Sequence, residues 1–279
     1  ASGCSEERAV TMSPDGAYHL SYDRHNLILT EQKTGEQSQL TFDGEPDLEY
    51  GCYIDIYSQI TVKRQGYQEH PQVLWSPDGT RFITYRADRR TTKKLPLIAS
   101  YSDGLHDLRP ELYEYPCPFV TDSDEEIPHY SLYIGSLADK TLVKADAPDF
   151  LYPVFTSPEK STVKWMEDSR HFYFTWIARG YQEACLYLGD AQNGSCHVVI
   201  RETTEQFFNL GAFGLLDGYG SYLFSNFITS DRAYAFWQSE RNGFAHLYRY
   251  RLTENESVCE GDLFDASEKE LIVQKLIRV

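Results

Sequence analysis

The sequence predicts an all-β protein, a β-propeller of four-stranded antiparallel blades forming part of a larger ring. Three observations carry this. A turn grammar recurs along the chain, the residues after each turn alternate at period two, and aromatic residues are abundant. Tyr 21, Phe 15 and Trp 4 make up 14% of the 279 residues, against two Met. Tyrosine suits half-buried strand faces, where its ring packs and its hydroxyl reaches water. Period-two alternation marks strands, and four strands per repeat is the pattern of a propeller blade.

The first unit reads Thr11-Met12-Ser13-Pro14-Asp15-Gly16-Ala17-Tyr18-His19-Leu20, then Asn26-Leu27-Ile28-Leu29, then Thr34-Gly35. The second reads Leu74-Trp75-Ser76-Pro77-Asp78-Gly79-Thr80-Arg81-Phe82-Ile83-Thr84-Tyr85 and resumes at Ser131-Leu132-Tyr133-Ile134. In the third, Val163-Lys164-Trp165-Met166-Glu167-Asp168-Ser169-Arg170-His171-Phe172-Tyr173-Phe174 leads to Cys185-Leu186-Tyr187-Leu188 and Asn193-Gly194. The fourth has Ile228-Thr229-Ser230-Asp231-Arg232-Ala233-Tyr234-Ala235-Phe236, then His246-Leu247-Tyr248-Arg249-Tyr250, then Glu254-Asn255. Proline presets φ for a turn, aspartate bonds its own backbone, and glycine tolerates positive φ. Blade-like units are therefore expected near 11–42, 73–144, 163–201 and 222–259 of a single region spanning 1–279. Irregular blades fit 43–70 and 210–226. Residues 87–128 are too long for a plain turn and read as an insertion toward a ring face. Its run Asp122-Ser123-Asp124-Glu125-Glu126 is expected to be a solvated loop.

Other β architectures fit less well. A β-sandwich shows turn signals without a repeated Trp-Ser-Pro-Asp-Gly grammar. A sialidase propeller needs Ser-x-Asp-x-Gly, whereas Asp78 and Gly79 are adjacent. WD40 blades close on Trp-Asp, which is missing. Helical periodicity is weak, confined to Ser267 to Leu276, and that segment reads equally as strand.

The net charge of −16 argues against nucleic acid and against an anionic membrane surface, both of which reward Lys and Arg. Apolar runs such as Leu210 to Leu216 are far below the ~18 residues of a transmembrane helix. Cys4, Cys52, Cys117, Cys185, Cys196 and Cys259 lack zinc-site spacing, and no metal or other cofactor is expected. Cys185 and Cys196 flank a hairpin. With Asn193-Gly194 as a two-residue turn, Ala191 faces Cys196 and Cys185 lies well down the strand, so ordinary buried thiols are expected. Ala1-Ser2-Gly3-Cys4 resembles the tail of a lipoprotein processing site, but Ala stands where Leu is usual; a trimmed start is the better reading.

The second unit continues Tyr85-Arg86-Ala87-Asp88-Arg89, Leu95-Pro96-Leu97 and Tyr113-Glu114-Tyr115-Pro116-Cys117-Pro118. With Trp75-Ser76-Pro77-Asp78-Gly79 this resembles the N-terminal propeller region of the dipeptidyl peptidase IV family of serine peptidases. More specific is Trp237-Gln238-Ser239-Glu240-Arg241-Asn242-Gly243-Phe244-Ala245-His246-Leu247-Tyr248, which resembles that family's Trp-x-Ser-Glu-Arg-Asp-Gly-x-x-His-Leu-Tyr segment. The Ser-Pro-Asp-Gly turn alone is shared with TolB-type propellers. The likeness covers most of Asn26 to Leu252. It implies an eight-bladed propeller of which this chain is an incomplete part, followed by an α/β-hydrolase domain carrying a Ser/Asp/His triad.

No nucleophile elbow matches here: Gly218-Tyr219-Gly220-Ser221-Tyr222 fails the Gly-x-Ser-x-Gly spacing. The histidines, among them His19, His70, His171 and His246, read as structural. The chain alone is thus expected to have no catalytic residues, its parent being a serine-type peptidase. The family binds the substrate amine through two adjacent glutamates on a propeller segment; here that stretch reads Asp47-Leu48-Glu49-Tyr50-Gly51-Cys52-Tyr53 and lacks the pair. Asp47, Glu49 and Asp55 are the candidate substitutes, with Arg109 and Arg86 candidates for a substrate carbonyl or carboxylate. Expected partners are a peptide substrate, the C-terminal hydrolase domain and a second copy in a homodimer. An exported or periplasmic location is slightly favoured over a cytoplasmic one. The alternative is a non-catalytic propeller serving as a protein- or peptide-binding module.

Overall fold

The computed structural model describes residues 10–52, 70–99, 110–116, 122–151, 161–208, 226–243, 246–253 and 257–263. Among them every regular element is a strand apart from one 3-10 turn, Asp124–Glu126. Cys4, Cys117, Gly218 to Tyr222 and Ser267 to Leu276 lie outside the described residues.

Among the described residues, four antiparallel sheets and one separate hairpin account for the strands. The first sheet is β1 (Thr11–Met12), β2 (Tyr18–Asp23), β3 (Asn26–Glu31) and β4 (Gln37–Gln39), in chain order. The third is β12 (Val163–Trp165), β13 (His171–Ile177), β14 (Glu183–Asp190) and β15 (Cys196–Thr203). The fourth is β16 (Phe227–Ile228), β17 (Tyr234–Ser239), β18 (His246–Leu252) and β19 (Ser257–Asp262). The second is less regular. Strands β5 (Leu48–Tyr50) and β6 (Leu74–Trp75) both pair with β7 (Arg81–Asp88), which neighbours β10 (His129–Ser136) and then β11 (Thr141–Lys144). Residues 87–128, read above as an insertion, hold a separate hairpin, β8 (Lys94–Ala99) with β9 (Glu111–Pro116). The acidic run at 122–126 forms the 3-10 turn, capped by Ser123.

The chain divides into two compact units. One comprises 1–72, 85–131 and 151–153; the other comprises 73–84, 132–150 and 154–279. In the first, Leu20, Leu27, Leu29, Leu48, Tyr50 and Tyr85 are buried side chains of strands β2, β3, β5 and β7. In the second, the third and fourth sheets share a core in which Leu186, Ile200, Phe208, Ile228 and Trp237 are buried together.

The repeated turns are built by one hydrogen-bond scheme. Ser13 Oγ donates to Asp15 at 2.6 Å and accepts from the Tyr18 N–H. Ser76 does the same with Asp78 and Arg81, and Thr229 with Asp231 and Tyr234. Met166 breaks the pattern in the third unit, where Asp168 accepts instead from the His171 N–H and faces its ring. The residue after each aspartate is left-handed: Gly16 (φ 69°), Gly79 (φ 70°), Ser169 (φ 54°) and Arg232 (φ 58°). Glycine takes this conformation freely, whereas Ser and Arg are strained by roughly 1–2 kcal/mol.

These turns predict acid sensitivity. Burial raises the Asp78 carboxyl, but hydrogen bonds from Ser76, Thr80 and Ser169 outweigh it and hold it below the usual range. A carboxyl depressed on folding stabilises at neutral pH, and that stability is lost as pH falls below the ordinary ~3.9 through the folded value. Asp78→Asn is therefore expected to flatten the acid limb of an unfolding curve followed from pH 5 to pH 2.

Trp75 and Trp165 occupy equivalent positions on the first strands of their sheets, opposite Phe82 and Phe172. Each meets its phenylalanine edge to face, at 62° and 63°. The repeat leads one to expect both buried between neighbouring sheets, and they are half-buried. The reason is that β6 and β12 are two- and three-residue strands paired on one side only. The Trp165 indole N–H donates to the Leu74 carbonyl at 2.9 Å, tying the third unit to the second. Behind the phenylalanines the partner strand is bare. A Cβ at Gly135 would fall 2.7 Å from Phe82 Cε2 and closer still to Cε1 and Cζ, and one at Gly189 would fall 2.7 Å from Phe172 Cε1 and closer still to Cζ. The fourth sheet inverts the sizes, with Ala235 opposite Tyr250.

The Trp237 to Tyr250 segment makes a clamp on Glu202, the penultimate residue of β15. The Trp237 indole N–H donates at 2.7 Å, Ser239 Oγ at 2.5 Å and Arg241 Nη2 at 2.5 Å. Arg241 also reaches Tyr250 Oη at 2.9 Å and lies 4.1 Å from the Tyr248 ring centroid.

Cys185, Cys196 and Cys259 are free thiols. The β14–β15 register differs from the two-residue-turn expectation. Cys196 faces Gly189 and Cys185 faces Arg201, because the loop closes through Gly194 N–H to Asp190 and Asp190 N–H to Ser195. Burial, with Glu183 nearby, pushes the Cys185 thiol up to about 11. Burial with Asp146 pushes Cys196 up to about 12. Both are protonated, poorly nucleophilic thiols at neutral pH.

Candidate functional site

The segment singled out for substrate contacts is β5 and its flanks. Strand alternation puts Leu48 and Tyr50 into the core and Glu49 on the other face. Its partner strand is the end of β7, with Leu48 opposite Asp88, Glu49 opposite Ala87 and Tyr50 opposite Arg86.

Glu49 is embedded between two basic groups. Oε1 faces His25 Nδ1 at 2.8 Å, and Oε2 accepts from the Arg89 guanidinium. The Arg89 side chain is only 8% exposed. Burial works against its charge, but Cys52, Glu49, Tyr130 and Asp47 outweigh burial and hold its pKa above the usual value. Among the described residues its Nε has no acceptor.

Asp47 precedes β5 in the left-handed region (φ 63°). Its carbonyl accepts the Arg89 N–H at 2.7 Å, and its carboxylate takes Lys94 Nζ at 3.1 Å. Arg86 pairs with Asp43 at 2.9 Å and lies 5.9 Å from the Tyr50 ring centroid. Asp55 and Arg109 lie outside the described residues.

The positions after Tyr50 turn inward rather than offering acids. Gly51 (φ 55°) donates its N–H to the Tyr85 carbonyl at 2.7 Å, and its own carbonyl accepts from Tyr22 Oη and, at 2.8 Å, from the Gln72 N–H. Cys52 is buried, and its carbonyl accepts from Tyr85 Oη at 2.5 Å. Burial pushes the Tyr85 and Tyr130 hydroxyls well above the ordinary tyrosine value, so both stay protonated. Tyr85 thereby remains a donor that fixes the backbone beyond β5. Chemically, this is a compensated charge cluster on a rigid backbone, not an isolated carboxylate pair.

Glu49 and Asp47 were legible as carboxylates near the segment; their cationic partners were not. His25 lies 24 residues before Glu49 and Arg89 lies 40 after it. The local hint for Arg89 was its place directly after the alternating strand, next to the more obvious Arg86.

Residues 3–276 match the family described as dipeptidyl peptidase IV (DPP IV) N-terminal region. The chain belongs to that family. Among solved structures it is similar to Porphyromonas gingivalis dipeptidyl peptidase 4, at 18% identity and a TM-score of 0.61, over 91% of this chain and 32% of that one. It also matches a structure described as a putative dipeptidyl aminopeptidase IV from Bacteroides ovatus, at 16% identity and a TM-score of 0.49, over 87% of this chain and 35% of that one. A comparison with curated proteins returned no match. The DPP IV N-terminal assignment and the four antiparallel sheets agree on a β-propeller. The chain spans about a third of the length of the solved relatives it matches.

Proposed function

We propose that this chain is the propeller portion of a dipeptidyl peptidase IV-like serine peptidase. It gates access to a catalytic site carried elsewhere and contributes contacts to the peptide; it does not itself cleave. The observation that supports this most is the family match across nearly the whole chain. Rigid sheets presenting loops suit such a task, since the scaffold holds shape while loops select.

Within that role, peptide contacts fall to β5 and its flanks, with Asp47, Glu49 and Asp55 as candidates, and to Arg109 of the insertion at 87–128. Both Glu49 oxygens already have basic partners, and His25 is the more exposed of the two, at 30% against 8% for Arg89. A substrate amine therefore reaches Glu49 by taking the place of His25.

Two experiments test the reading. The full-length gene product is expected to be labelled by a fluorophosphonate probe and to release dipeptides; no labelling would favour a non-catalytic binding module. In an active product, Glu49→Gln is expected to raise KM for peptides with a free amino terminus several-fold while leaving kcat nearly unchanged. An unchanged KM removes Glu49 from the contact set and leaves the gating role standing.

A further inference from the structure

In the third and fourth units the left-handed turn position carries a side chain rather than glycine, and each side chain reaches back to the preceding unit. Ser169 Oγ accepts the Asp78 N–H at 3.0 Å. Arg232 Nη1 lies 2.8 Å from His171 Nε2 and 3.3 Å from Nδ1. Two such similar distances place the guanidinium over the imidazole face, not at the end of one lone pair. Strained conformations persist where the surroundings reward them, and these contacts are that reward.

The two straps differ in one respect. The Ser169 contact meets the Asp78 N–H and a carboxyl held below its usual range, which stays ionised from pH 5 to pH 8, whereas the Arg232 contact rests on an imidazole whose Nδ1 faces Asp168 Oδ2 at 2.6 Å. A neutral ring offers the guanidinium its electron-rich face; an imidazolium presents a second positive charge in direct contact. We propose that His171 makes the joint between the third and fourth sheets protonation-sensitive: neutral His171 holds Arg232, and protonated His171 keeps Asp168 and releases Arg232.

The other charges around His171 support this exchange. On its own turn, Asp168 and Arg170 flank it, and Asp190 on β14, its cross-strand partner, is paired with Arg170 at 2.6 Å. From β15, His197 is held below the usual histidine value by burial and then by the His171 charge. Asp168 is thus the anion left to hold an imidazolium, and it belongs to the same turn as His171, not to the fourth unit.

The test uses Arg232→Gly, which removes the contact and relieves the left-handed strain, so that it is expected to fold. Unfolding midpoints of the full-length product are compared at pH 8 and pH 5. Relative to wild type, Arg232→Gly is expected to gain by roughly 2 °C or more on going from pH 8 to pH 5, since the acid form has already lost the contact. Ser169→Gly, at the equivalent position, should show the same difference at both pH values. In a His171→Gln background the pH dependence of Arg232→Gly should vanish. Where another part of the product sets the midpoint, hydrogen-exchange protection of β17, corrected for intrinsic rate, supplies the same comparison. An Arg232→Gly effect equal at both pH values overturns the proposal, as does one that persists without His171.

Discussion

Replacing Glu202 with alanine is expected to destabilise the protein by about 3 kcal/mol, from the cost of leaving buried donors without their acceptor. Trp237 is fully buried, and its indole N–H donates to Glu202 at 2.7 Å. Ser239 and Arg241 converge on the same carboxylate, which is 12% exposed. Burial lowers the Arg241 pKa, and the hydrogen bond to Tyr250 with the Glu202 charge more than restores it. Alanine removes all of this and leaves a guanidinium against the Tyr248 ring. Glu202→Gln should cost less, about 1 kcal/mol, because the amide oxygen still accepts from Trp237. Denaturant titration of the full chain checks both. A Glu202→Ala loss below ~0.5 kcal/mol, the scatter of an ordinary surface substitution, would mean that the clamp contributes nothing to stability.

Gly189→Ala is expected to cost about 1–3 kcal/mol by overpacking, though it adds a single methyl to a strand. The added carbon would meet the Phe172 ring, 2.7 Å from Cε1 and closer still to Cζ. That ring has no room to yield: it is fully buried, faces Trp165 on one side and stacks near Phe174 at 6.1 Å on another. A smaller partner should rescue the change. Phe172→Leu combined with Gly189→Ala is expected to lose less than the two single substitutions added together, the mark of residues sharing one space. Strict additivity in the unfolding free energies would show that the ring relaxes elsewhere.

The blades were legible because their information is local. Ser13, Asp15 and Gly16, or Ser76, Asp78 and Gly79, each close a turn within five residues, and the strands that follow alternate plainly. The repeat also puts Trp75 and Trp165 at matching positions, but their half-burial is not legible in it, since a strand's missing neighbour leaves no trace in its own residues. The β14–β15 loop failed for a related reason. Asn193-Gly194 is a strong two-residue signal, yet the hydrogen bond from Gly194 N–H to Asp190 makes the loop longer. At the candidate site, the carboxylates of Asp47 and Glu49 could be listed from sequence, but their compensation by Lys94, His25 and Arg89 depends on the β5–β7 pairing. The Glu202 clamp was hidden in the same way. Its donors lay in the most specific stretch of the chain, while their acceptor lay 35 residues earlier than Trp237 in an unremarked strand.

The discontinuous second sheet bears on how the chain acquires its structure. Within the third sheet, β13 and β14 are joined through 178–182, a hairpin that closes at little entropic cost. In the second, β7 and β10 meet only after 89–128, a connection roughly eight times longer, which adds about 2 kcal/mol of closure cost if it is slack. The β8–β9 hairpin takes up part of that length within itself, so early pairing of Leu97 with Tyr113 shortens the search β10 must make. Nucleation in the third sheet, with the second completed late, is the kinetic order this connectivity favours.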